Sequence, residues 1–186
     1  VPMRAKQLVL TALFAALTAI GAFLKIQIPV EGIPAITLQF FFTAMAGVLL
    51  GAKYGAISQA VYVLLGLVGL PIFTMGGGFS YVLQPSFGFL LGLIPSAWVI
   101  GTLCKNAKSF WPMALGILAG LAVLYLIGTP YMGLILNLYL GKGMSVWQIV
   151  RAGCLLYLPG DVLKIVVCTA LCLALRSRLP KALAAA

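Results

Sequence analysis

Apolar residues dominate this chain in long runs. Several reach or approach the roughly 20 residues that a helix needs to cross about 30 Å of hydrocarbon at 1.5 Å per residue. Hydropathy and the flanking polar residues predict six spans: Ala5 to Ile28, Thr37 to Leu50, Tyr54 to Leu70, Phe87 to Cys104, Trp111 to Leu136 and Leu155 to Leu175. The second is short for a full crossing. Gly128 and Pro130 are expected to distort the end of the fifth.

Composition agrees with that pattern. Of 186 residues, 63% are hydrophobic and only 8% charged, with a mean hydropathy of +1.18, so the bilayer and not water is the main solvent of the fold. The net charge of +10 comes from twelve Lys and Arg against two acids, Glu31 and Asp161. In a soluble protein this charge would suggest nucleic acid, but here the cations punctuate apolar runs and form no patch with interleaved aromatics. They report topology instead. With the N-terminus inside, the inner side holds Arg4, Lys6, Lys53, Lys105, Lys108, Arg176, Arg178 and Lys181, and the outer side only Lys25, Lys142 and Arg151. By the positive-inside rule both termini are cytoplasmic, and the loops at 29–36, 71–86 and 137–153 face outward.

The expected fold is therefore an all-α membrane protein, a six-transmembrane-helix bundle with both termini cytoplasmic, forming a single domain over residues 1–186. No tandem repeat or composition break divides it. Val1 and Pro2 precede the first methionine and are set aside. No cleavable signal peptide is expected, because the first apolar run is long and lacks a small-residue cleavage pattern. The sequence holds no GxxxxGK[ST] motif, so phosphate-bond energy must come from another polypeptide, or the drive must come from an ion gradient.

Three features can carry chemistry. In Pro159-Gly160-Asp161-Val162-Leu163-Lys164, an acid and a base three residues apart share one helix face at the start of the sixth run. Ionised groups at membrane depth cost several kcal/mol unless paired or wetted, so the pair should face a protein interior or a water-filled cavity. Asp161 also sits near the positive end of its helix. The outward loop Gly69 to Gly88 contains Gly76, Gly77 and Gly78, beside Phe73, Phe79 and Tyr81. Its amides and aromatic faces suggest a hinged lid that closes over an apolar ligand. On the first span, Ala12, Ala15, Ala16, Ala19 and Ala22 give a smooth strip suited to close helix contact, with a partner or with this chain's own helices. The glycine pairs Gly88/Gly92 and Gly116/Gly120 are read as internal packing.

What is missing narrows the choice. Without histidine, and with a single acid in the spans, a hydrolase has almost nothing to work with, so no enzyme is expected. Cys104, Cys154, Cys168 and Cys172 show no CxxC spacing and read as small apolar thiols, not metal ligands.

The ordered combination resembles BioY, the biotin-specific S-component family of energy-coupling-factor (ECF) vitamin importers, over nearly the whole chain. It is carried by Ala12-Leu13-Phe14-Ala15-Ala16, the stretch from Gln39 to Gly55 with Met45-Ala46-Gly47 and Leu50-Gly51-Ala52-Lys53-Tyr54-Gly55, the Gly69-Leu70-Pro71-Ile72-Phe73 loop, Pro85-Ser86-Phe87-Gly88-Phe89-Leu90 and Pro159 to Lys164. Gln84, where the family has glycine, and the large Phe87 are departures at the loop end. The resemblance implies a plasma-membrane protein of a prokaryote that captures biotin from outside. Its partners would be a transmembrane coupling protein and two ATPase subunits; biotin is the transported ligand, and no cofactor, metal or nucleic acid is implied. It further implies that Asp161 and Lys164 contact biotin, with Gln39, Gly76, Gly77, Gly78, Ser80, Tyr81 and Ser86 as further binding candidates, and that Ala12 and Ala16 dock the coupling protein. The chemistry fits: the ureido ring offers two N–H donors and a polar carbonyl, which a carboxylate and an ammonium can read. The valerate carboxylate then needs other donors, unless Lys164 reads it instead.

The main rival is a stand-alone transporter of a small vitamin-like solute, coupled to protons or sodium through Asp161, although such proteins usually carry internal repeats. A membrane enzyme or scaffold would bind no small molecule tightly.

Overall fold

The computed structural model describes residues 5–26 and 33–178, so Arg4, Glu31 and Lys181, and residues 29–32 of the first outward loop, lie outside the described residues. The first helix, α1, runs Ala5–Phe23. It stops short of the expected Ile28 because the backbone turns at Leu24 into strand β1, Lys25–Ile26, which pairs antiparallel with β2, Ile36–Thr37. Then follow α2, Gln39–Val68, a 3-10 turn at Phe79–Leu83, α3, Phe87–Leu103, and α4, Phe110–Leu134. A π-helical stretch, Ile135–Tyr139, extends α4. The short α5, Val146–Val150, and a second π stretch, Arg151–Leu155, lead into α6, Leu158–Arg178.

By length and composition four helical stretches can cross a membrane, namely Ala5–Phe23, Gln39–Val68, Phe110–Tyr139 and Val146–Arg178, while Phe87–Leu103 is apolar but shorter. Their outward faces carry exposed apolar side chains such as Val68, Trp111, Leu115 and Leu126, as expected of surfaces that meet lipid tails.

A straight helix of 30 residues would be about 45 Å long, but α2 is not straight. Gly51 has φ 78° and ψ 177°, a conformation open only to glycine, and the chain folds back there. A Cβ on Gly55 would lie 2.9 Å from the Cα of Gly47, and Thr43 Oγ1 donates to Gln59 Oε1 at 2.8 Å. These contacts require two antiparallel limbs, 39–50 and 52–68, which correspond to the second and third predicted spans. Between the limbs and α1, the fully buried Thr18, Thr43, Ser58 and Gln59 satisfy one another: Thr18 Oγ1 also donates to the Phe14 carbonyl at 2.8 Å, and Gln59 Nε2 to Ser58 Oγ at 3.0 Å. In a bilayer such groups must find partners inside the protein.

α3 crosses α4 through the expected small residues. A Cβ at Gly88 would strike the Tyr131 side chain, at Gly120 that of Ile100, and at Gly116 the Cys104 sulfur. Ser96 Oγ donates to the Gly120 carbonyl at 2.8 Å across the same crossing. At the end of the bundle near Gly51, Arg176 of α6 donates to the carbonyls of Cys104, Ala107 and Val48. One guanidinium thereby satisfies oxygens that the C-terminal turns of α3 and of the first α2 limb leave without helical donors.

Candidate ligand-binding site

At the opposite end, a cavity of about 80 Å³ opens between the N-terminal turns of α2, α3 and α6 and the C-terminal half of α4. One water needs only about 10–15 Å³ by the same measure, so this is a void that a ligand group can enter. Apolar walls come from Phe89, Leu90 and Leu93 of α3 and Leu124 of α4, and Pro34 and Ala35 border it beside β2.

Asp161 and Lys164 both line this cavity. Pro159 and Asp161 open α6 in positions that suit a helix start, the first lacking an N–H and the second placing negative charge at the positive helix end. Lys164 Nζ donates to Asp161 Oδ1 at 2.7 Å, and the two side chains are 12% and 7% exposed. The hydroxyl of Tyr125, from α4, donates to the other carboxylate oxygen, Oδ2. The pair is thus neutralised internally, as burial in a membrane demands, while remaining accessible from the cavity. Tyr157, four residues before Asp161 and on the same face, also lines it and donates its hydroxyl proton to the Pro34 carbonyl at 2.5 Å.

The α2 side contributes Gln39 and Thr37. Gln39 is held firmly: its Oε1 accepts from Thr37 Oγ1 at 3.0 Å, and its Nε2 donates to Tyr62 at 2.8 Å. Tyr62 in turn donates to the Ile72 carbonyl at 3.0 Å, tying the base of the outer loop to α2.

From the loop, Thr74, Tyr81 and Ser86 reach the cavity. The Thr74 and Tyr81 hydroxyls lie 2.8 Å apart, and Ser86 Oγ donates to Tyr81 at 3.2 Å. Lys25 of β1 donates to the Thr74 carbonyl, joining the strand pair to the loop.

The triple glycine and Ser80 do not line the cavity. The Gly76 N–H is bonded to the Phe73 carbonyl and the Gly78 N–H to that of Gly66, so neither amide is left for a ligand. A Cβ on Gly77 would come within 2.0 Å of the Leu70 carbonyl oxygen. The glycines serve to press the loop onto the end of α2. Phe73, expected as a lid aromatic, is instead a plug, 1% exposed, packed between the rings of Tyr62 and Tyr81 at 5.5 and 4.7 Å. Phe79 and Ser80 point to the surface. The departures at the loop end are also absorbed. Gln84 closes the 3-10 turn through its N–H to Tyr81, and Phe87 is buried against the Tyr131 ring.

The sequence reading missed Tyr125 and Tyr157. Helical spacing from Asp161 was a usable signal for Tyr157. Nothing in the sequence connects Tyr125 to an acid 36 positions away. On α1, Ala12 and Ala16 are exposed while Ala15 and Ala22 are buried, so the alanine strip divides into an inner face against α2 and an outer face.

Comparison with known proteins places this architecture. The chain is 36% identical over 173 residues to the biotin transporter BioY of Thermotoga maritima, covering 92% of this chain and 96% of that one. It is 46% identical over 140 residues to a probable biotin transporter BioY of Lysinibacillus sphaericus, covering 74% and 70%. A crystal structure of the S-component for biotin from an ECF-type ABC transporter superposes with a TM-score of 0.81 at 27% identity, covering 95% of each chain. The model of the BioY family matches residues 1–181, and the chain belongs to that family.

Proposed function

We propose that this protein captures biotin from the outer side of a prokaryotic plasma membrane as the S component of an ECF-type importer, with separate coupling and ATPase subunits supplying the energy. The observation that carries the reading is the buried Asp161–Lys164 pair facing a cavity. An anion and a cation side by side complement the N–H and carbonyl of a cyclic urea: Asp161 accepts from a ureido N–H and Lys164 donates to the ureido oxygen. The apolar walls from α3 and α4 suit the ring and the start of the valerate chain. The Thr74, Tyr81 and Ser86 hydroxyls, which bond one another and keep one proton to give, are the donor cluster closest to hand for the valerate carboxylate, with Gln39 as a further polar contact. This reading sets aside Gly76, Gly77, Gly78 and Ser80.

The same reading has one membrane domain with six crossings, the two limbs of α2 counting separately, and both termini cytoplasmic. Lys6, Lys53, Lys105, Lys108, Arg176 and Arg178 at one end, against Lys25, Lys142 and Arg151 at the cavity end, support that orientation. Ala12 and Ala16, on the outward face of α1, dock the coupling protein.

The test is a thermal-shift and titration screen of purified protein in detergent against a panel of vitamins. Biotin alone is expected to stabilise, by about 2.7 kcal/mol at a hundred times its Kd. A panel in which biotin gives no shift overturns the proposal. Uptake that needs no ATPase partners and stops when the ion gradient collapses would replace it with a secondary transporter.

A further inference from the structure

Gly128, a position expected to distort the end of its span, leaves α4 running on through it to Leu134. A glycine inside a helix serves the helix itself less well than alanine, so its use there points to a close approach by something else. What approaches is Phe89 of α3. A Cβ on Gly128 would lie 2.3 Å from Cδ1 of that ring and 2.6 Å from both Cε1 and Cγ, where carbon atoms in contact keep about 3.5–4.0 Å. The crossing is tight from both sides. Gly88 of α3 receives the Tyr131 side chain in the same way, and the Tyr131 hydroxyl is tied to the Val82 carbonyl at 2.6 Å.

Phe89 also lines the cavity, whereas Met132, Leu136 and Ala152, the buried cluster against which it packs, do not. A ring displaced from Gly128 therefore has packed side chains on one hand and the void on the other, and it moves into the void. Starting from the N-cap of α3, Ser86, Phe89, Leu90 and Leu93 line the cavity at i, i+3, i+4 and i+7, a single helical stripe. Phe89 stands between the hydroxyl cluster and the deeper leucines. A ligand crosses that stretch if its acid end meets Ser86 and its ureido ring meets Asp161 and Lys164.

We infer that Phe89, seated against Gly128, is the specificity-determining wall for the second, sulfur-containing ring of the ligand, and that the missing side chain at 128 is what leaves room for a bicyclic urea. The inference rests on the biotin reading above. The ring offers no hydrogen-bond donor, so this wall accepts a thioether and rejects a sulfone, whose two oxygens would be buried there without partners.

The experiment titrates wild type, Gly128→Ala, Phe89→Ala and the double variant with biotin, with biotin sulfone, and with dethiobiotin, which keeps the ureido ring and acid chain but lacks the sulfur and the second ring. Gly128→Ala should weaken biotin about tenfold or more, and dethiobiotin by a clearly smaller factor. In the Phe89→Ala background the same substitution should cost biotin nothing further, because no ring is left to displace. Phe89→Ala by itself should narrow the preference for biotin over its sulfone about tenfold. If Gly128→Ala lowers biotin and dethiobiotin by one factor, or costs biotin as much without the ring as with it, the glycine serves helix packing alone and the inference fails. It fails equally if Phe89→Ala leaves the preference over the sulfone as in wild type, a comparison that holds even where Gly128→Ala does not fold. If wild type binds no biotin at all, the failure belongs to the proposed function.

Discussion

Lys164 Nζ lies 2.7 Å from Asp161 Oδ1, one turn along α6, and both side chains face the cavity between α2, α3, α4 and α6. A solvated i,i+3 pair contributes little to anything. At this depth each charge depends on the other, so the two residues differ in what their removal does.

Asp161→Asn is expected to weaken biotin binding at least about tenfold, because an amide replaces a charged acceptor worth about 1.5–3 kcal/mol. Lys164→Ala should weaken binding and also lower thermal stability, since it leaves the buried carboxylate with Tyr125 but no counter-charge. Titration calorimetry and melting curves on the same preparations separate the two effects. Wild-type affinity in Asp161→Asn would remove the acid from the site.

Arg176 makes the opposite kind of contribution. It lies at the far end from the cavity, and its three carbonyl acceptors belong to the end of α3, to the loop between α3 and α4, and to the end of the first α2 limb. Arg176→Ala should destabilise the protein by about 2 kcal/mol or more, by removing the charged donor from three carbonyls, although the Cys104 carbonyl keeps the Ala107 N–H. Biotin affinity of the folded fraction should not change. A fall in affinity with an unchanged melting temperature would contradict this division of roles.

The loop from 71 to 86 supplies Thr74, Tyr81 and Ser86 to the cavity while Phe73 anchors it to α2. Bound biotin should therefore slow amide exchange between Thr74 and Ser86, and also near Thr37, which Lys25 and the strand pair link to the loop. Phe73→Ala, which empties the space between Tyr62 and Tyr81, should cost about 3–5 kcal/mol of stability and speed exchange throughout the loop. Exchange rates indifferent to both biotin and the substitution would mean the loop does not close on the ligand.

Ala12 and Ala16 are exposed where Ala15 is buried, which gives the docking proposal an internal control. Replacing Ala12 and Ala16 together with leucine should block co-purification with the coupling protein and energised uptake, while leaving biotin affinity intact. Ala15→Leu should instead destabilise the fold, because its methyl group packs inside the bundle. If the double variant loses affinity along with assembly, that face packs against this chain's own helices. If it loses neither, the coupling protein docks elsewhere.

Much of this protein is legible from sequence because the bilayer imposes a coarse rule. Apolar runs of spanning length mark the helices, and their ends are punctuated by residues that lipid excludes, so the predicted fourth span, Phe87 to Cys104, differs from α3 by one residue. An acid and a base one turn apart inside such a run are equally visible, because a bilayer makes unpaired charge costly. Local spacing, however, says nothing about which residues meet across the bundle. Tyr125 reaches Asp161 only because α4 packs against α6, and Tyr62 reaches Gln39 only because Gly51 folds α2 back on itself. The triple glycine looked like a ligand cradle because glycine permits close approach to anything. Only the packed structure determined that what approaches is the end of α2, with the Gly78 amide bonded to Gly66. Sequence established which groups are costly to leave alone in a membrane; tertiary contacts alone decided which partners satisfy them, and so which remain for a ligand.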